Sequence, residues 1–476
     1  MNTNLKNILF AKEIFIKDLD ITSTKINQYK LNKSKAFVNC NIYGDIILNE
    51  NFSHSLFEEE EDYNHVLQFK ECTFIDCEKI IINYLKGAKI AFINCIFKNT
   101  NIKILDTELK YLYLSNGTEI GLEIYDSNIN QISLHNNYIN FGIKNTQVKN
   151  LNLNHFICNK IKIDKTNFER INIYKSEIIS FICTSINTKY ISITESEIKE
   201  FILFHIVCSE NFNLVLNLFD LVYLKSCVLN KFMIDTAESV NKKFQLILKN
   251  SEFLENMILQ NSEFLNIHIL NNFISKFVVI KNNSTNNLKI EGNIDDINFR
   301  FINFDIKDEN SLELDTIITL KKSYEKQGLV ELQNKYYAIE KDSYLKNKLN
   351  NFKGFSSLKK NRNTLPIYAI TKLYSNHGTD WQLAVIMTLA FALGFYSIIY
   401  FNQTDYEYYT TLSKNEFWNG YFKFLIITDY TNPVFNYDKK IYFENKTCLW
   451  IPNILGKIAI AFGIYETIKS FRLYHK

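Results

Sequence analysis

From residue 122 to residue 208 an apolar side chain returns at almost every fifth position. The run is Ile124, Ile129, Leu134, Ile139, Ile143, Val148, Leu153, Cys158, Ile163, Phe168, Ile173, Ile178, Cys183, Thr188, Ile193, Ile198, Leu203 and Cys208, and only Thr188 breaks it. A period of five matches neither a helix nor a lone strand. It matches a coil whose short faces each turn one side chain inward. Two residues ahead of each inward position stands another that alternates between large and small or polar: Leu122, Ser127, Ile132, Asn137, Phe141, Thr146, and later Ile161, Thr166, Ile171, Ser176. Ile161-x-Ile163-x-x-Thr166-x-Phe168 is repeated as Ile171-x-Ile173-x-x-Ser176-x-Ile178, so the unit is ten residues with two faces. Asn250-Ser251-Glu252-Phe253-Leu254 returns as Asn261-Ser262-Glu263-Phe264-Leu265, one residue out of register. The pattern predicts a β-solenoid over residues 1–305.

Beyond Asp305 the period becomes helical, with Leu314, Ile317, Ile318, Tyr324 and then Leu332, Tyr336 and Ile339 on either side of Gly328, a predicted helix stop. Residues 306–380 therefore read as a helical cap and connector. Trp381 to Phe401 is an uncharged apolar run long enough to cross the roughly 30 Å of a bilayer core. A second run, 448–468, contains Lys457 and is followed by Lys469 and Arg472. The segment 416–429 between them is too short to span and predicts an interfacial or re-entrant piece. Ala390-x-x-x-Gly394 and Ala459-x-x-x-Gly463 put small residues one turn apart, where two helices could approach closely. Residues 381–476 form the predicted membrane module.

Charge refines this picture. The net charge of +3 is too small to argue for nucleic acid. Between Ser343 and Lys372 stand seven basic residues, Lys346, Lys348, Lys353, Lys359, Lys360, Arg362 and Lys372, and no acidic one. Each contributes on the order of 1 kcal/mol of attraction to anionic cytosolic lipid. Basic residues flank the same end of both apolar runs, which predicts an inner-membrane protein with both termini cytosolic. A lysine inside a span costs about 2.5 kcal/mol or more unless it snorkels, pairs or lines a wet cavity. Lys457 is thus the predicted functional residue of the membrane module, with Glu416 and Asp429 as candidate partners.

Eight of the nine cysteines fall in the repeats, and the first twenty residues lack the apolar core of a signal peptide, so the repeats read as reduced and cytosolic. Cys72 and Cys77 have no second pair to complete a zinc site. Glu58 to Asp62 reads as a solvated acidic loop, and His135, His155 and His205 fall just after inward positions and should point outward. There is no phosphate-binding glycine loop, His-Glu-x-x-His or nucleophile elbow, and no catalytic, metal or cofactor residue is expected.

The repeats, and above all Phe37-Val38-Asn39-Cys40-Asn41-Ile42-Tyr43-Gly44-Asp45, resemble the pentapeptide-repeat family, which implies a right-handed parallel β-helix. Large Ile, Leu and Phe stand at many positions where that family uses Ala, Ser or Thr. The order helix, short segment, helix resembles a two-helix pore-loop cation channel, but Thr428-Asp429-Tyr430-Thr431-Asn432-Pro433-Val434 stands where such channels carry Thr-x-Gly-Tyr-Gly-Asp. The C-terminal residues resemble uncharacterised bacterial membrane-anchored repeat proteins. The expected protein is therefore a non-enzymatic membrane-anchored solenoid that binds a protein partner or a second copy of itself; the alternative is an oligomeric ion channel gated by a ligand on the solenoid.

Overall fold

The computed structural model describes residues 14–17, 20–22, 35–48, 66–97, 99–115, 120–238, 243–274, 276–292, 298–350, 365–403, 414–429, 433 and 447–474. The chain forms two compact units, Met1–Thr316 and Ile317–Lys476.

The first unit is a parallel β-solenoid of about 11 turns. Each ten-residue unit is one strand bent at its centre, and two such strands complete a coil. Asn167–Tyr174 pairs in parallel with Asn187–Thr194, twenty positions on, while Glu177–Thr184 pairs with Glu197–Phe204. Each of these strands buries its second, fifth and seventh residues. The small or polar residue that follows the strand is also buried, so inward positions come two to every five residues. Thr188, which breaks the apolar run, is buried like its neighbours and donates its hydroxyl to the Tyr190 carbonyl at 3.2 Å.

One left-handed residue per unit marks the corner of the coil. Lys165, Lys175, Ser185, Glu195 and His205, one per unit, adopt φ near +50° (48°, 48°, 54°, 51° and 54°) and turn the chain into the next strand. For a non-glycine residue that conformation costs roughly 1–2 kcal/mol. It is offset by hydrogen bonds between coils: Lys175 N–H donates to Thr194 O at 3.1 Å and Ser185 N–H to Phe204 O at 2.9 Å. The next residue turns inward: it is small and polar after Lys165, Lys175 and Glu195 (Thr166, Ser176, Ser196) and isoleucine after Ser185 and His205 (Ile186, Ile206). Where it is small and polar it bonds to the backbone. Ser176 donates to Tyr174 O at 3.0 Å, and Ser176 N–H donates to the hydroxyl of Ser196 in the following coil at 3.2 Å.

Cysteine takes the same corner in the early coils. Cys40 and Cys72 each donate to the carbonyl two residues back at 3.4 Å, and Cys95 does so at 3.6 Å. Cys77 donates instead to Lys79 O at 3.6 Å, so it converges with Cys72 on no shared point. His155 and His205 are exposed left-handed corner residues, and His135 is partly buried beside His155. The acidic run Glu58 to Asp62 lies outside the described residues.

At the far end of the unit, Thr316 closes the last coil, accepting from Ile290 N–H at 2.8 Å, and Lys289 pairs with Glu313 at 2.7 Å. Thr316 lies in the first turn of helix α1, Leu314–Lys326. Gly328, at φ +70°, separates α1 from α2, Val330–Asn350. Then follow α3, Leu365–Ser375; α4, Trp381–Gln403; α5, Lys414–Leu425; and α6, Trp450–Tyr474. Helices α4 and α6 are long and apolar enough to cross a membrane.

Candidate functional site

Within the helical unit, polar side chains gather at two points of a mostly apolar bundle. Helices α4 and α6 pack side by side, and Gly463 lets α6 approach Thr388, whose hydroxyl donates to Ala384 O at 2.6 Å. Further along, a Cβ on Gly456 would stand 3.0 Å from the Cβ of Phe395. The small-residue expectation holds at Gly463 of α6 and fails on α4. Ala390 and Gly394 are exposed, and buried Ala384, Thr388 and Ala392 take their place. The reason is phase: Ala384, Thr388 and Ala392 recur every four residues on one face of α4, whereas Ala390 and Gly394 fall on another.

Helix α5 packs on α4 and runs opposite to it. Its Phe417 ring lies 5.0 Å from that of Tyr400, and four residues later Tyr421 donates its hydroxyl to Leu389 O at 2.9 Å. Gly420 gives α5 its close approach to the buried ring of Tyr396. With 12 residues, about 18 Å long, α5 runs beside half of α4 and stops.

Lys457 meets α5 where it ends. Its ammonium donates to the carbonyls of Phe424 at 2.7 Å and Ile426 at 2.5 Å, and lies 5.0 Å from the centre of the Phe424 ring. The last carbonyls of a helix have no partner within it and carry partial negative charge. A cation there is both hydrogen-bonded and electrostatically matched. Asp429 adds an attractive field at Lys457, whose ammonium donates to the two carbonyls. The side chain of Glu416 lies outside the described residues.

The second polar point lies at the other end of α6 and joins four elements. Ser375, the last residue of α3, donates its hydroxyl to Glu466 of α6 at 2.5 Å and accepts from Gly378 N–H at 2.7 Å. Glu466 is 1% exposed, and Lys469 pairs with it at 3.3 Å. Beside them His377 Nε2 stands 2.9 Å from Asp342 of α2, and its Nδ1 stands 3.3 Å from the Thr371 hydroxyl. Lys372 holds the second oxygen of Asp342 at 2.8 Å. Burial pushes the His377 pKa down, more than the facing carboxylate raises it. The imidazole is therefore neutral at pH 7, donating from Nε2 to Asp342 and accepting at Nδ1. Burial also pushes Asp342 up, but hydrogen bonds from Lys372 and His377 outweigh it and hold this carboxyl below its ordinary value.

Among the basic residues proposed for lipid, Lys346 is exposed and Lys372 is engaged with Asp342. The side chain of Lys348, and all of Lys353, Lys359, Lys360 and Arg362, lie outside the described residues. The cluster of Asp342, Ser375, His377 and Glu466 was missed in the sequence, where its one signal is Glu466 within an otherwise apolar helix, a turn ahead of Lys469.

No protein-family model, curated protein or solved structure matches this chain. The resemblances to pentapeptide repeats and to pore-loop channels therefore gain nothing from known proteins. The parallel solenoid and the two apolar helices stand on geometry alone.

Proposed function

We propose that this is a non-enzymatic bacterial inner-membrane protein, in which a cytosolic solenoid of pentapeptide-repeat type serves as a protein-binding scaffold on a two-helix anchor with both termini inside. The supporting observation is the outward surface of α4 and α6. Only 33% of each span is buried, and Ile386, Leu389, Ile398, Ile454, Ile458 and Ile468 stand exposed along them. A core helix of a soluble protein would hide such residues, and a contiguous apolar surface of this length calls for lipid. The polar groups fit the same reading: Glu466, Lys469 and His377 cluster at one end of the helix pair, and Lys457 is satisfied by carbonyls instead of facing outward.

Carbonate extraction of cell membranes tests the anchor, and crosslinking from residues on the solenoid tests the scaffold. Retention in the carbonate-washed pellet, with a reproducible partner crosslinked to the repeats, is the expected result. Release into the soluble fraction, or catalytic turnover by the purified chain, overturns the reading. The half-length helix α5 beside α4 is the observation that favours the channel alternative. Against it, the carbonyls at the end of α5 that could receive a cation are held by Lys457. Conductance of the purified oligomer in planar bilayers decides between the two.

A further inference from the structure

On the outward face of the solenoid several lysines are matched to a carboxylate one coil away. Lys103 pairs with Glu123 at 3.4 Å, Lys175 with Glu195 at 3.3 Å, and Lys189 with Glu169 at 3.3 Å. Others stand unmatched among the described residues, and at one place three of these gather around a gap in the side chains. Parallel register stacks Glu123, Gly142 and Lys162 in one outward column, and Gly121, Asn140 and Lys160 in the next. Gly142 leaves the sheet bare where its column neighbours carry long side chains, whereas the side chain of Asn101 fills the space beside Gly121. Gly142 is not needed for the turn of the chain. A Cβ there would come no closer than 3.9 Å to another atom, so its effect is to leave room.

The result is a depression of about 490 Å³ around Gly142, within the range of small-ligand sites. Lys144, Lys160 and Lys162 border it, each exposed and without an ion pair among the described residues. Of the two carboxylates present, Glu123 is already held by Lys103, which leaves Asp164 against three ammonium groups. Half-buried Tyr125 forms a flat wall on one side.

We infer that this depression binds a small phosphorylated ligand. Lys160 and Lys162 supply point charges for the phosphate, Gly142 gives the ligand access to the backbone, and the ring of Tyr125 covers an apolar or planar part of it. This site goes beyond the scaffold reading and does not rest on it, because binding here is measured whether or not a protein partner or a bilayer is engaged.

The test is calorimetric titration of the full-length chain in detergent with AMP, ribose 5-phosphate and glycerophosphoinositol. Saturable binding of at least one probe is expected, weakened tenfold or more by Gly142→Gln and by the pair Lys160→Ala and Lys162→Ala. Lys189→Ala, which removes a matched lysine elsewhere, should leave it unchanged. Preference for glycerophosphoinositol assigns the phosphate to a lipid headgroup, and preference for AMP or ribose 5-phosphate assigns it to a soluble metabolite. Absence of saturable binding by all three probes overturns the inference, as does binding that the Gly142 and lysine variants leave within twofold. Unchanged circular dichroism of each variant shows that the fold is intact.

Discussion

The hydroxyl of Ser375 donates to the carboxylate of Glu466 across 2.5 Å, and the two residues are 91 positions apart in the chain. That bond ties the end of α3 to α6 and gives a buried carboxylate one of its two partners, Lys469 being the other. Ser375→Ala removes a hydrogen bond to a charged group, which stabilises by about 1.5–3 kcal/mol. Thermal unfolding of the detergent-solubilised chain should register that loss, and Ser375→Thr should recover part of it. An unchanged unfolding temperature for Ser375→Ala would contradict the geometry.

Acid should weaken the same cluster. His377 has a folded pKa below its ordinary 6.5, so the folded state favours the neutral ring. Its contribution is full above pH 6.5 and is lost as pH falls below that value. Asp342 has a folded pKa below its ordinary 3.8, so its contribution is present above 3.8 and lost as pH falls through the folded value. Both terms have the same sign. Lys372 and Lys469 also face His377 and deepen its preference for neutrality. The unfolding temperature should fall from pH 8 to pH 5, and His377→Gln should flatten the slope around pH 6.

Lys457→Met keeps the length of the side chain and removes the ammonium that closes α5. The carbonyls of Phe424 and Ile426 then lose a charged donor, at a cost of about 1.5–3 kcal/mol. Hydrogen exchange at the C-terminal turn of α5 should accelerate while exchange in the solenoid stays the same. Equal protection in the two proteins would show that the lysine does not hold that helix end.

At the left-handed corner the side chain matters less than its branching. Ser185 is exposed at φ +54°, where glycine is unstrained and a β-branched residue is badly placed. Ser185→Gly should be neutral or stabilise by a few tenths of a kcal/mol, and Ser185→Val should destabilise by about 1–2 kcal/mol. Denaturant melts of the full chain measure both.

Thiol chemistry offers a check on fold and topology together. All eight repeat cysteines are buried, with burial pushing Cys77 and Cys158 up to about 12 and Cys208 and Cys227 to about 11, whereas Cys448 is exposed. A maleimide should modify one thiol quickly in the native protein and nine after denaturation. Cys448 precedes α6 at the end remote from His377, so an impermeant reagent should reach it from outside the cell. Labelling only from the cytosolic side would invert the proposed orientation.

The coil was readable in the residues because its rules are local. Strand alternation turns side chains inward or outward, and the residue behind each left-handed corner turns inward. Ile163, Thr166 and Phe168 thus report their own burial without reference to distant parts of the chain. The apolar helices were readable for the same reason, since length and composition suffice. Lys457 could be picked out as an anomaly, yet its partners could not, because the carbonyls at the end of α5 carry no signature in the side chains. Ser375, His377 and Asp342 are unremarkable where they stand in the sequence, and Gly142 is one glycine among thirteen. They acquire chemistry through packing: stacking sets a bare backbone among three lysines, and the crossing of α2, α3 and α6 brings a hydroxyl and an imidazole to buried or half-buried carboxylates. Periodicity is encoded residue by residue, whereas such encounters depend on which faces are left to meet after the helices and coils have formed.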